Sequence, residues 1–393
     1  MVAGASGGDL VDRAATLRPV LERNRAEGER ERRLPEESIA ALTEAGLFRA
    51  WVPRRFGGLE HDLRTVMDAT AEVTKGDASA GWLVLILACG DWLTGLFPDR
   101  AQEEVFGTDP DTRVCQVLTP KATARRTDGG WLVSGNWAPA SGCLHAGWAM
   151  LGMVLPEAGD EPGGAAFGLV PMADLRVKDT WFTLGMRATG SNLLVGEDVF
   201  VPEHRVLRRG PATRGEFPRH RNDSPRYRTA LVPTLATFLI APFLGMAELA
   251  LDHVVAQSGR RGIAFTSYER QRDSTGFQLA VAEASMKLDV ARLVADRAAA
   301  VVEGHALSGT HPDLLERARL RMHSSHAVQQ CREAVDVLVS AYGAGALAEA
   351  DPLQAVLRDI QTASRHALSH PASNAEVFGR ALLNVEPNIT EMI

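Results

Sequence analysis

The sequence predicts an α+β protein that is mainly α: an N-terminal α-helical domain over residues 1–111, a central β domain over 112–207, an arginine-rich loop over 208–234, and a C-terminal helical domain over 235–393. Three observations predict it. From about Leu10 to Glu104, charged residues are interleaved with Leu and Ala and broken by few Pro or Gly, the pattern of amphipathic helices. From Thr112 to about Arg205 the chain changes to short β runs, with Thr127, Asp128, Gly129 and Gly130 forming a hairpin turn between ATARR and WLVSG. From Leu235 helical periodicity returns, and Leu279, Met286 and Leu293 recur at the spacing of a helix packed along a bundle seam.

Within the first domain, Pro35 sits where a first helical turn tolerates proline. Glu36 and Glu37 suit the positive end of the helix dipole, Ile39 and Leu42 share a face, and Gly46 ends the helix. Between the second and third domains, Arg205 to Arg228 combines many arginines with Pro211, Pro218 and Pro225 and reads as a loop, either a solvated connection or a mobile rim over an active site. Thr229 to Ala247 carries no charge and is long enough for a membrane span. Pro233, Pro242, several threonines and its place inside a globular chain point instead to the start of a buried helix.

The bulk numbers exclude several classes. With 393 residues and 45% apolar content the chain builds a sizeable core, and a formal charge of −7 offers no footprint for nucleic acid or an anionic membrane. Cys89, Cys115, Cys143 and Cys331 lack CxxC spacing, which argues against a disulfide framework or a metal site and for a reducing, cytoplasmic setting. Residues Met1 to Asp12 have neither the basic nor the apolar region of a signal peptide. No GxGxxG follows a strand, so a resident nicotinamide site is not expected.

Three segments carry a family likeness: LPEESIAALTEAGLFRAWVPRRFGG (34–58), RRTDGGWLVSGNWAPASG (125–142) and TLGMRATGSNLLVGEDVFVPEHRV (183–206). Together, and in this order, they resemble the acyl-CoA dehydrogenases and their relatives, the two-component (class D) flavin-dependent monooxygenases. The resemblance implies a barrel-like central domain, a C-terminal four-helix bundle, a flavin ring between the two, and assembly into homodimers or homotetramers.

The two branches of that family need opposite chemistry. In the dehydrogenase branch a glutamate in a Tyr-Glu-Gly-Thr-like segment near the C-terminus removes an α-proton from a thioester. The corresponding stretch here, RDIQTASRHALSHPASNAEVFGR (358–380), has no such glutamate motif. It offers His366 and His370, of which His366 resembles the C-terminal histidine of the hydroxylases. An imidazole with a pKa of about 6.5 takes a phenolic or amine proton at neutral pH. Two other readings stand beside this one: a chelating pair, for which HALSH lacks the glutamate of HExxH, and structural caps ahead of Pro371.

Ser141 resembles the serine that these hydroxylases place beside flavin N5, where a hydroxyl prolongs the life of a C4a-hydroperoxide; a turn serine bonding its own backbone is the plainer account. Trp82 matches a position lining the flavin or substrate cavity. Relatives have a histidine eight or nine residues later, where this chain has Gly90 and Asp91. Trp137 either packs on the flavin or fills the β core. For the flavin phosphate the candidates are Arg260 or Arg261, with the backbone at Gly343 and Gly345.

The resemblance thus implies an oxygenase component that takes diffusible reduced FMN or FAD from a separate NAD(P)H flavin reductase and uses O2 as co-substrate. Its substrate is expected to be an aromatic, polycyclic or polyketide-like small molecule of the kind met in secondary metabolism. An N-oxygenase of an amino sugar or other amine, and an acyl-CoA dehydrogenase, are the alternatives.

Overall fold

The computed structural model describes residues 7–157, 163–217, 224–386 and 388–393. Six helices come first: α1 (Gly7–Thr16), α2 (Arg18–Glu31), α3 (Glu36–Glu44), α4 (Leu63–Gly76), α5 (Ala78–Thr94) and α6 (Asp99–Phe106). Eight strands follow: β1 (Val114–Val117), β2 (Ala122–Thr127), β3 (Gly130–Ala140), β4 (Trp148–Leu155), β5 (Gly164–Pro171), β6 (Arg176–Lys178), β7 (Asn192–Pro202) and β8 (Val206–Arg208). The chain then returns to helix: α7 (Arg209–Thr213), α8 (Leu231–Phe238), α9 (Ala241–Gln257), α10 (Thr275–Ser308), α11 (Leu314–Tyr342), α12 (Pro352–Ala363) and α13 (Pro371–Leu382). This is the α+β, mainly α, acyl-CoA dehydrogenase-like fold.

Local chemistry explains the boundaries that matter for the site. The Asp62 and Asp77 carboxylates accept the backbone N–H groups of Thr65 and Ala80, at 2.8 and 3.0 Å, and so cap α4 and α5. Apart from Ile86, every residue of α5 is buried, as an apolar-all-round helix requires. The helix leans on β1 so closely that a Cβ at Gly90 would lie 1.9 Å from the Val114 carbonyl oxygen. No side chain fits at Gly90, the first of the two positions where relatives have a histidine. Beside it Asp91 is fully buried, and burial pushes its carboxyl well above the usual range.

The strands form one sheet in the order β6-β7-β3-β2-β4-β5-β8, with β1 pairing parallel to β4. The expected hairpin is β2–β3, antiparallel, with Thr127 opposite Gly130 and Gly129 at φ +76°. In β3 the register to β7 shifts between Trp137 and Ala140, just before the chain turns at Ser141.

One expectation holds, the buried helix start, and two need correction. The uncharged run becomes α8 and α9, and although Leu231–Gln257 is long and apolar enough to cross a membrane, 89% of its most apolar window is buried inside the protein. The arginine-rich segment is less irregular than its prolines suggest: it holds β8, α7 and a 3₁₀ turn at Pro225–Arg228, while residues 218–223 lie outside the described residues.

The second correction concerns α10. Its buried residues include Ala284, Leu288, Ala291, Ala295, Ala298 and Val302, an alternating four-and-three spacing that packs against the bundle. At roughly 100° per residue, Leu279, Met286 and Leu293 lie about half a turn away from that stripe. They are 66%, 60% and 68% exposed, so this seam faces out of the single chain.

Candidate active site

Trp82, Ser141 and His366 come from α5, the turn after β3 and the link between α12 and α13, and the fold brings them into one site. The Trp82 indole N–H donates to Ser141 Oγ at 3.2 Å, while the same ring stands edge-on to the His366 imidazole, with centroids 5.7 Å apart and planes at 68°. Phe243, near the start of α9, closes another side of Trp82 in a T-shaped contact at 6.4 Å. One tryptophan therefore holds both predicted catalytic side chains.

His366 is half-buried, and burial pushes its imidazole down to about 4. The ring is neutral throughout the physiological range. Its Nδ1 accepts the Leu368 N–H at 3.3 Å, starting the short 3₁₀ turn Ala367–Ser369 and leaving Nε2 as the nitrogen open to a substrate. His370 is an exposed N-cap of α13: its Nδ1 meets Ser373 Oγ at 3.0 Å and accepts the Ser373 N–H at 3.3 Å. The pair does not share an α-helix face, because a 3₁₀ turn and not an α-helix joins one to the other, and no group of three potential metal ligands occurs among the described residues.

Ser141 is buried, and its neighbours were not legible in the sequence. Its Oγ lies 2.7 Å from Ser191 Oγ, which lies 2.7 Å from Thr189 Oγ1, which donates to the Met186 carbonyl at 2.8 Å. The 184–186 segment is gripped in turn by α12. Leu184 O accepts from Arg358, Gly185 N–H donates to Thr362 Oγ1 at 3.1 Å, and Met186 N–H donates to Asp359 Oδ1 at 2.5 Å. A Cβ at Gly185 would lie 2.3 Å from the Arg358 carbonyl oxygen, so only glycine allows this approach. Burial pushes the Asp359 carboxyl up to about 7, with Asp77 and Glu29 adding like charge and the Met186 N–H opposing. The helix that leads to His366 thereby also fixes the loop that supports Ser141.

The chain is similar to known proteins along nearly its whole length. Residues 13–103 match the N-terminal domain of acyl-CoA dehydrogenases and residues 237–371 their C-terminal domain. Over 375 residues, 94% of this chain and 97% of the relative, the sequence is 35% identical to the flavin-dependent monooxygenase oxygenase subunit HsaA of Rhodococcus jostii (strain RHA1). It is 32% identical over 389 residues, 96% of this chain and 95% of the relative, to the oxygenase component of the FADH(2)-dependent resorcinol hydroxylase of a Rhizobium (strain MTP-10005). The structure of XiaF from a Streptomyces, solved with FADH2 and glycerol, superposes with a TM-score of 0.91 at 35% identity, covering 98% of this chain and 97% of XiaF. The chain belongs to the oxygenase components of two-component flavin-dependent monooxygenases.

The remaining predicted residues of the oxygenase have three settings. Trp137 is fully buried among the strands and donates its indole N–H to Gly152 O at 2.8 Å, the packing role a β-core tryptophan fills without any cofactor. Arg260 is exposed. Arg261 instead lies over the Tyr342 ring at 4.2 Å and so close to Gly345 that a Cβ there would meet its guanidinium at 2.0 Å. Gly343 ends α11 at φ +85°, a left-handed backbone that favours glycine. Arg261, Gly343 and Gly345 thus form one cluster, steadied by the Tyr342 hydroxyl donating to Asp351 at 2.9 Å.

One further residue escaped the sequence reading. Gln116, on β1, donates to the carbonyl of Ile86, one helical turn beyond Trp82, at 3.3 Å, and its Oε1 is buried with no hydrogen-bond partner among the described residues. A buried acceptor left unpaired between α5 and β1 suits a hydrogen-bond donor. A lone glutamine in a short strand carries no pattern by which sequence alone could have found it.

Proposed function

We propose that this oxygenase takes reduced FMN or FAD from a separate NAD(P)H flavin reductase and, with O2, hydroxylates an aromatic, polycyclic or polyketide-like small molecule. The convergence of Trp82, Ser141 and His366 carries this reading, because it places a neutral imidazole and a buried hydroxyl around one aromatic wall. The names of the relatives support it: HsaA is a flavin-dependent monooxygenase, and the Rhizobium relative is an FADH(2)-dependent resorcinol hydroxylase.

The residues fit a flavin. Ser141 Oγ retains a free lone pair beyond its two observed partners, and the Arg261 guanidinium with the glycine backbone at 343–345 suits a phosphate. When bound, reduced flavin supplies the electrons that activate dioxygen. Ser141 holds the proton at N5, and Trp82, Phe243 and the buried α5 keep water out. His366 takes the substrate proton at Nε2.

That last step needs the ring proton on Nδ1, which gives up the 3.3 Å contact from Leu368. A weak neutral hydrogen bond is worth about 1 kcal/mol. A general base is worth roughly 3–5 kcal/mol in rate, so the exchange favours catalysis.

The test is turnover. The protein alone is expected to leave NADH unoxidised, and to oxygenate resorcinol-like or polycyclic phenols once any flavin reductase supplies reduced flavin. NADH oxidation by the pure protein, without added flavin or reductase, counts against the proposal.

The exposed seam of Leu279, Met286 and Leu293 supports assembly into a homodimer or homotetramer. Light scattering at micromolar concentration is expected to give one of these masses, and Met286→Lys is expected to lower it. A wild-type monomer contradicts the assembly.

A further inference from the structure

The proton directions in the Ser141 chain follow from its far end. The Met186 carbonyl has no proton to give, so its 2.8 Å contact with Thr189 Oγ1 is held only if the threonine proton lies between them. Thr189 then meets Ser191 as an acceptor, and the 2.7 Å contact requires the Ser191 proton. Ser191 in turn has nothing left to donate to Ser141, so the 2.7 Å contact between the two serines requires the Ser141 proton. The Trp82 N–H arrives at Ser141 from the other side, as a donor, in agreement with this direction.

Each hydroxyl has one proton and two lone pairs. Ser141 therefore has its proton committed to Ser191, one lone pair committed to Trp82 and one lone pair open. Whatever group meets Ser141 must be a hydrogen-bond donor.

We infer that Ser191 and Thr189 are positioning residues that hold Ser141 as a pure acceptor, and that this polarity makes the site selective for reduced over oxidised flavin. The inference rests on the proposal that Ser141 faces flavin N5. Reduced flavin carries a proton on N5 and donates to the open lone pair. Oxidised flavin presents a bare N5, so two lone pairs face each other in a buried site. The relay thus acts before any chemistry, favouring the cofactor that arrives from the reductase and releasing it once oxidised.

Anaerobic calorimetry with reduced and oxidised FMN, and with reduced and oxidised FAD, tests this in the full-length protein. Wild type is expected to bind the reduced form more tightly. Ser191→Ala frees the Ser141 proton to turn toward N5, so the ratio of oxidised to reduced Kd is expected to fall about tenfold, the effect of one neutral hydrogen bond changing sign. Thr189→Val is expected to lower the ratio in the same direction, because Ser191 regains a proton to offer Ser141. Ser191→Thr and Thr189→Ser keep a hydroxyl at each place and are expected to keep the wild-type ratio. In a Ser141→Ala background, Ser191→Ala is expected to change nothing further.

A wild-type ratio in both Ser191→Ala and Thr189→Val, each folded by circular dichroism, overturns the relay while leaving the monooxygenase proposal intact. Failure of the wild type to bind reduced flavin at all overturns the proposal beneath it.

Discussion

Replacing His366 by alanine is expected to lower product formation roughly 10²- to 10⁴-fold, the range for loss of a general base, while leaving reduced-flavin binding close to wild type. The ring makes one weak cap bond and one edge contact with Trp82, so its removal leaves most of the site standing. The flavin consumed is expected to appear as hydrogen peroxide instead of product, and paired assays of peroxide and product measure the split.

The pH profile gives a second readout of the same assignment. Because burial depresses the folded-state pKa of His366 to about 4, the ring takes up a proton only as pH falls toward that value, and the basic form is complete above it. The acid limb of the hydroxylation rate is therefore expected near pH 4, well below the near-neutral limb of an ordinary imidazole, and His366→Ala is expected to lack it. His370→Ala is expected to cost about 1 kcal/mol of stability as a lost N-cap and to leave the rate alone. Normal hydroxylation by His366→Ala together with a silent His370→Ala returns both histidines to capping and moves the base elsewhere.

Ser141→Ala is expected to act at a different step. It removes the acceptor for the Trp82 N–H and for the flavin N5 proton, and it strands the Ser191 lone pair that received the Ser141 proton. Losing one hydrogen bond of about 1–1.5 kcal/mol at the reacting ring shifts a partition by roughly tenfold. The yield of product per reduced flavin is accordingly expected to fall about tenfold, with peroxide released early and without regard to substrate. Equal peroxide release by wild type and variant removes Ser141 from this role.

The sequence by itself determined the order of helical, β and helical segments, because amphipathic periodicity and turn chemistry are local. The Thr127–Gly130 hairpin, the α3 helix from Glu36 and the glycine turn at Gly46 all follow from residues within a few positions of one another. It also brought forward Trp82, Ser141 and His366, through motif likeness in three separate stretches. What it could not determine was anything that depends on which face meets which. Leu279, Met286 and Leu293 have the spacing of a packed seam, yet only the position of α10 against α11 decides that the alanine stripe is inside and this one outside. Trp82 and Trp137 are both candidates for a flavin contact in the sequence, and their indole hydrogen bonds, to Ser141 Oγ and to Gly152 O, set one beside Ser141 and the other within the sheet.

The chemistry of the site belongs to the tertiary structure for the same reason. The depressed His366 and the raised Asp359 are products of burial, which the folded chain creates and no local pattern encodes. Ser191 and Thr189 are ordinary turn residues until the Met186 carbonyl, itself held through Asp359 on α12, fixes the direction of their protons. Short-range preference writes the elements, and the alignment of donors and acceptors across elements distant in the chain decides what they do.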